Sequence, residues 1–430
     1  MQTEIDGKLI SVAARRYAMV VLAVVYMFNF VDRQILSILL PAIRDEFQVG
    51  DAVLGLLAGT AFAMFYVVMG IPIARIADRV NRRNLIALAV AVWSGMTALS
   101  GLATNIGYLT LARIGVGIGE AGCSPPAHSI IADLYPPDKR SAAMGFYTLG
   151  ISVGVMVAYL AGGWVVQNIG WREAFFIVGI PGLLLAIIVR YTLVEPVRGA
   201  SEDRQDSGQQ PGLIVVLRFL MERKSFVFMA VAAGLSAFVG YAVIIFLPSF
   251  IERSFEMQVA SLGLWLGLIY GIAGGFGFFM GGYLADHIGR GGHGRALRFI
   301  GLAVLVTACF YGAVFLAASP FWSLLLFVLP AVTSNFYLAP VLGQTQSLVS
   351  LRMRSVASAI VLLIINVIGL AIGPPVTGFV SDMLQSGFGD DSMRYALLIV
   401  STALLPVAAW CYFKAGESIE DDLGRAHEHD

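Results

Sequence analysis

Charge is what this 430-residue chain has least of. Asp, Glu, Lys and Arg make up 13% of it, against about 25% in soluble proteins, and its mean hydropathy is +0.80. That excludes an ordinary water-soluble class. The charges present balance, 28 basic against 28 acidic, so no cationic surface implies nucleic acid as a partner. Cysteine is scarce as well. Cys123, Cys309 and Cys411 all fall inside apolar runs, which excludes a disulfide framework. No Asn-x-Ser/Thr sequon occurs, in keeping with a bacterial origin. The first 16 residues carry no signal-peptide pattern, so the first apolar span is expected to act as the insertion signal. There is no His-Glu-x-x-His, no nucleophile elbow and no metal-ligand cluster. An intramembrane lipid enzyme using Glu120 and His128 as acid and base therefore lacks its other parts, and no cofactor is expected.

What the chain does have is apolar runs near 20 residues along its whole length, the mark of a polytopic helical membrane protein. Twelve spans are predicted at about 17–41, 51–74, 84–103, 106–134, 141–166, 173–193, 225–251, 259–285, 296–317, 320–349, 355–382 and 394–414. Lys and Arg set the orientation. With the N-terminus cytoplasmic, only Arg44, Arg172, Arg253 and Arg394 lie outside and Arg33 and Arg113 within the membrane, leaving 22 of the 28 on the cytoplasmic side. The expected organisation is a cytoplasmic N-terminus (1–16), a six-helix bundle (17–194), a cytoplasmic linker (195–224), a second six-helix bundle (225–416) and a cytoplasmic tail (417–430). Within the linker, 195–210 reads as flexible and 211–224 as a short amphipathic helix on the membrane surface. The charged tail reads as disordered.

Two opposite charges, Asp32 and Arg33, stand in the middle of the first span beside Asn29. A charge at that depth costs at least about 2.5–3.5 kcal/mol, which points to a pathway or coupling site, or else to an ion pair that locks helix packing. The fourth span answers it. Arg113, Gly117, Glu120, Ser124 and His128 fall at helical spacing on one face, and Gly115, Gly119 and Gly122 form a small-residue stripe on another. Glu120 lies about as deep as Asp32, and a buried carboxylate needs a cation to stay charged. Arg33 and Arg113 are the intramembrane cations available. Asp32, Arg33 and Glu120 are therefore expected to form one proton-responsive cluster, with Arg33 shared by both carboxylates. His128 reads as a packing or gating residue. Pro125-Pro126 is expected to kink the span.

The halves repeat. Leu54-Gly55-Leu56, Gly59, Ala77 and Asp78 match Leu262-Gly263-Leu264, Gly267, Ala285 and Asp286 at an offset of 208. Arg140-Ser141, Gly154 and Gly163 match Arg354-Ser355, Gly369 and Gly378 with one residue of slippage. A parallel six-plus-six repeat implies two bundles about a central cavity with sites near the midplane. After the second span, Asp78, Arg79, Arg82 and Arg83, with Asp286 and Arg290 in the second copy, could latch neighbouring helix ends and gate the cytoplasmic side, or serve only as positive-inside anchors.

That loop resembles the G-x-x-x-D-R-x-x-R-R signature of the major facilitator superfamily, with Ala74 for the Gly in the first copy and His287 for the Arg in the second. Asn29-x-x-Asp32-Arg33, Arg113-x-x-x-Gly117-x-Gly119-Glu120-Ala121 and Asp133-Leu-Tyr-Pro-Pro-Asp-Lys-Arg140 are similar to the Spinster family within it. Proton-coupled organic-anion symporters share a similar Asp-Arg and Gly-Glu. The resemblance implies the all-α integral membrane major facilitator fold and proton-driven movement of lysolipids or sphingoid phosphates by alternating access; the parallel repeat fits a functional monomer, and the expected location is a bacterial inner membrane. Asp32 and Glu120 would be the coupling carboxylates, and Arg33 and Arg113 the head-group partners.

Spans seven to twelve carry no charge until their ends. Phe238, Tyr241, Phe246, Tyr270, Asn335, Tyr337, Gln344 and Asn366 are the expected cavity liners there. One charged wall facing an aromatic and amide wall suits an amphiphile. A sugar acid, the alternative substrate, would want polar groups on both walls.

Overall fold

The computed structural model describes all residues except 1–3, 6, 7, 10, 78, 198–211, 291, 351, 352 and 428–430. Backbone in hydrocarbon must satisfy its own N–H and C=O groups, so apolar runs of this length fold as helices. Besides a minimal strand pair, Glu4–Ile5 with Lys8–Leu9, the described secondary structure is helical. Among the described residues, ten stretches are long and apolar enough to cross a membrane. The fourth span escapes that count because it is broken into Ile106–Glu120 and Ser124–Leu134. The eleventh and twelfth run together within Val356–Gly424. Separated, they give the expected twelve.

The first span is Val12–Phe47, the third Arg82–Ser100, the fifth Pro137–Asn168 and the sixth Trp171–Thr192. Lys224–Phe255, His293–Leu316 and Ser392–His427 form the seventh, ninth and twelfth. The tenth is Pro320–Thr333 followed by Leu338–Ser347. Among the described residues, three spans contain a π-helical stretch, where an inserted residue locally widens and underwinds the helix. These are Leu56–Thr60 in the second (Asp51–Gly55 to Ala61–Ala77), Ile269–Gly274 in the eighth (Val259–Leu268 to Gly275–Gly289) and Ile365–Ile372 in the eleventh (Arg354–Ile364 to Gly373–Phe388).

The chain forms two compact units that exchange short segments. The first contains Met1–Gln48, Ala61–Ser207 and Gln258–Gly267, and the second Val49–Thr60, Gly208–Met257 and Leu268–Asp430. The leading segment of the second span thus packs in the second unit, and that of the eighth in the first. In the first unit the first span packs chiefly on the fifth and the third on the sixth. In the second, the twelfth span packs on both the seventh and the ninth.

Two expectations are corrected. The tail is not disordered up to residue 427. The last helix continues to His427, where Asp422 accepts hydrogen bonds from Ser225 N (2.8 Å) and Ser225 Oγ (2.7 Å) at the start of the seventh span. A carboxylate at a helix N-terminus satisfies orphan donors and the helix dipole, and that fixes the extension. The linker's first residues are not free either, because Glu195 and Pro196 bind Arg82. Residues 198–211 lie outside the described set, and the surface helix is Leu213–Met221.

Candidate functional site

The four intramembrane charges come together in the first unit as two separate pairs. Arg33 donates to Glu120 Oε2 through Nη2 at 2.6 Å and Nε at 3.2 Å. Arg113 Nη1 donates to Asp32 Oδ1 at 3.3 Å, and Thr97 Oγ1 donates to Asp32 Oδ2 at 2.5 Å. The described hydrogen bonds thus join Arg33 to Glu120 and Arg113 to Asp32, where the sequence suggests one arginine shared by both carboxylates. Consecutive residues on a helix point about 100° apart, so Asp32 and Arg33 address different neighbours. Thr97, on the third span, was missed; a single Thr in an apolar helix carries no signal in sequence.

The pairs differ in exposure. Asp32 and Arg113 side chains are each 1% exposed. In the other pair Glu120 is at 0% but Arg33 at 14%. Arg33 also sits among aromatic faces, its guanidinium carbon 5.1 Å from the Phe30 centroid, 4.7 Å from Phe62 and 5.2 Å from Tyr66. Phe62 lies 5.8 Å from the Arg113 guanidinium as well. Gly117 makes this possible. A Cβ there would fall 2.6 Å from Phe62 O, so glycine lets that backbone close in and puts the ring beneath both cations. The second oxygen of Glu120, Oε1, is buried and makes no hydrogen bond of ordinary geometry among the described residues, while the side chain of Asn29, on the first span, also interacts with this carboxylate.

The small-residue stripe packs as its spacing predicts. Gly115 faces Met96, Gly119 faces Trp93 and Gly122 faces Ala89, all on the third span. The span breaks at 121–123 where Pro125 and Pro126 begin a new helix, since proline supplies no N–H to continue the old one. Asn29 is buried at 3% beside the cluster's span, and Ser124 is half-buried. His128 stands apart from the charges. Its ring meets Tyr147 edge-on at 5.4 Å, and Tyr147 stacks on Tyr26 at 4.3 Å. The nucleophile-elbow pattern counted as absent from the sequence does occur once, as Gly150-Ile-Ser152-Val-Gly154, but it lies mid-helix within Pro137–Asn168, without the strand-to-helix turn an elbow requires.

In the second unit the expected liners divide. Tyr241, Tyr270, Asn335, Tyr337 and Asn366 are half-buried. The two asparagines spend their amide N–H on their own helices, Asn335 to Ala331 O (3.0 Å) and Asn366 to Leu362 O (2.8 Å). Gln344 Oε1 is 2.6 Å from His293 Nδ1. Phe238 is 7% exposed and Phe246 is at 0%, both packed in the core.

Of the loop charges, Arg82 is the most tightly held. It is 1% exposed, and donates to Glu195 (2.8 Å), Ser129 (2.8 Å), Pro196 O (2.7 Å) and Asp133. The Arg83 backbone N–H donates to Glu195 Oε2 at 2.8 Å. These bonds tie the end of the sixth span to the starts of the third and the end of the fourth, all inside one unit. Arg79 and Arg290 are exposed. Asp78 and the side chain of Asp286 lie outside the described residues.

Residues 22–374 match the family model of the Major Facilitator Superfamily. An MFS-type efflux pump of Mycolicibacterium smegmatis is 32% identical over 409 residues, covering 94% of this chain and 93% of that protein. A hexuronate transporter of Bacillus subtilis is 25% identical over 366 residues, 82% and 85% of the two chains. Among solved structures, a bacterial homolog of the human lysosomal transporter Spinster, inward-facing and unoccupied, superimposes with a TM-score of 0.87. It is 32% identical, with 96% of this chain and 99% of that one covered.

Proposed function

This chain belongs to the major facilitator superfamily and is a transporter of Spinster type, and we propose that it moves an amphiphile with an anionic head group across a bacterial inner membrane, driven by protons and alternating access. The observation that carries this reading is the Arg33–Glu120 pair. Arg33 is the partly exposed cation of the cluster, and aromatic rings that accept a hydrocarbon tail surround it. An anionic head group would dock on Arg33 by displacing Glu120, and the displaced carboxylate, freed of its cation, takes a proton. The four charges sum to zero. Adding one proton and one monoanion together keeps that sum, so proton and anion bind as partners. Asp32, held by Arg113 and Thr97, is the second coupling carboxylate and answers to the rearrangement of the first pair. One pH unit of gradient supplies about 1.4 kcal/mol per proton, and membrane potential about 2.3 kcal/mol per charge per 100 mV.

Proton and anion moving together down an inward proton gradient make this an uptake reaction, opposite in direction to the efflux named for the mycobacterial relative. The hexuronate transporter supports the second reading, symport of a small sugar acid through the same pair. A thermal-shift screen in nanodiscs separates them. Stabilisation by lysophosphatidylglycerol or sphingosine phosphate, reduced in Arg33→Gln, is the expected result. Stabilisation by glucuronate or galactonate alone would transfer the assignment to the sugar acid, and no shift with either class would remove both.

A further inference from the structure

A small cavity inside the second unit has no part in the reading above. It measures about 10 Å³ and lies among the seventh, ninth, tenth and twelfth spans, with Ser236, Gly240, Thr307, Tyr311 and Ser334 in its lining. That is about the room one water molecule needs. Ser236, Thr307 and Tyr311 are buried, and Gly240 and Ser334 half-buried. The hydroxyls around it differ. Thr307 Oγ1 donates to Ala303 O at 2.8 Å and is 2.6 Å from Thr333 Oγ1. The Tyr311 hydroxyl interacts with the Ser334 side chain. Ser236 Oγ makes no hydrogen bond of ordinary geometry among the described residues, although the Tyr412 hydroxyl interacts with it. A buried hydroxyl held so loosely is costly. The tenth span also breaks beside the cavity, its first helix ending at Thr333 and its second starting at Leu338. Non-helical backbone at membrane depth persists where protein or water receives its polar groups.

The internal repeat identifies the place. The first and seventh spans end at Phe47 and Phe255, each followed by a left-handed residue, Gln48 and Glu256. The offset of 208 therefore holds between them and carries Asp32 to Gly240. Between the third and ninth spans, and the fourth and tenth, the offset is 214. Leu88-Ala89-Val90 matches Leu302-Ala303-Val304, Asn105 and Ser319 stand at the N-caps of the fourth and tenth spans, and Arg172 and Arg394 donate to Ala103 O and Ala317 O. The contact of Gly119 with Trp93 becomes that of Thr333 with Thr307, so the register holds in space as well as in sequence. It carries Thr97 to Tyr311 and Glu120 to Ser334. The cavity thus lies where the second half would hold the Asp32–Thr97 hydrogen bond. Gly240 supplies no carboxylate there, and a Cβ on it would have no neighbouring helix within 4 Å among the described residues.

We propose that the cavity is a binding site for a single water molecule, held by Ser236, Tyr311 and Ser334 where the first half holds the carboxylate of Asp32. The water completes the hydrogen bonding of Ser236, joins the seventh span to the ninth and tenth, and supplies a polar partner at the break of the tenth. The second bundle keeps the layout of the charged site with an uncharged occupant. The proposal is independent of what the protein carries.

Two substitutions that differ by one hydroxyl test it. Gly240→Ala puts a methyl group in the water's space and replaces none of its hydrogen bonds. Gly240→Ser puts a hydroxyl there. Helix propensity ranks Ala above Ser, and a dry cavity gains from being filled by an apolar group, so a dry cavity makes Gly240→Ala the more stable variant. The water site reverses that order. In nanodiscs Gly240→Ser is expected to melt about 2–5 °C above Gly240→Ala. A map of the parent protein at about 2 Å is expected to show one ordered peak within about 3.2 Å of Ser236 Oγ. Equal melting temperatures, or a higher one for Gly240→Ala, overturn the site, and so does a cavity without ordered density. If neither Gly240 variant folds, the map of the parent decides alone.

Discussion

Glu120→Gln gives the sharpest prediction. The variant keeps the side-chain volume and leaves an amide oxygen to accept from Arg33, so it resembles a permanently protonated Glu120. At an effective dielectric of about 20, charges about 3 Å apart attract by roughly 5 kcal/mol. Much of that is offset by the desolvation the pair undergoes when it forms. Arg33 also keeps its three aromatic faces, each contributing about 0.5–2 kcal/mol. The net loss of stability should be about 1–2 kcal/mol, with the chain still folded. The functional effect is larger in kind. On the proposed pairing one proton is taken up for each anion bound, so affinity for the anion is expected to rise as pH falls, by up to about tenfold per unit (about 1.4 kcal/mol). The gain is greatest while Glu120 is still ionised in the free protein and saturates once it is protonated before the anion arrives. In Glu120→Gln the affinity should be flat with pH and close to the parent's low-pH value, while gradient-driven uptake is lost. The assay is calorimetric titration in nanodiscs between pH 5.5 and about 8.5, with lysophosphatidylglycerol, whose phosphodiester keeps a single charge over that range. Parallel pH slopes in parent and variant would refute the pairing of proton and anion.

Asp32→Asn should cost more stability than Glu120→Gln, about 3–5 kcal/mol, because it strands Arg113 in a site with no exposed member; ranked denaturation midpoints in the opposite order would contradict this, and gradient-driven transport should be lost in both. Thr97→Val should weaken the hold on Asp32 and lower stability by about 1–3 kcal/mol, and Thr97→Ser should restore most of it; equal midpoints for Val and Ser would show that the hydroxyl has no such part. Asp422→Asn should cost about 0.5–2 kcal/mol by weakening the cap on the seventh span, read as a lower melting temperature with unchanged transport per folded molecule.

The sequence disclosed charges and concealed pairings. Asp32, Arg33, Arg113 and Glu120 stand out because each interrupts an apolar run, and a charge in hydrocarbon is always conspicuous. Which carboxylate takes which arginine depends on helix rotation and on Phe62 closing over Gly117, and no periodicity reports that. Glu195 reads as part of a flexible linker because the residues after it are rich in Gly, Ser and Asp; its partner, Arg82, lies 113 residues earlier. Arg253 was visible only as an exception to the positive-inside pattern, although it pairs with an Asp 202 residues away. Asn335 and Asn366 looked like a polar wall, yet their N–H groups serve their own backbones.

The repeat was legible for a related reason, and it separates scaffold from chemistry. Gly55, Gly263, Gly163 and Gly378 match between the halves, and each lies where a Cβ would strike another helix's backbone. Steric exclusion of that kind acts alike in both halves, so both copies keep the same residue. Charges answer to no such common constraint. Asp382 and Gln167 fill equivalent capping positions with different charge, and the Asp32–Arg113 and Arg33–Glu120 pairs have no charged counterpart inside the spans of the second half. Charges confined to one half are what would give the two end states of a transport cycle different energies. Coupling requires that difference, because a cycle whose ends are equivalent cannot be driven by a ligand that binds both alike.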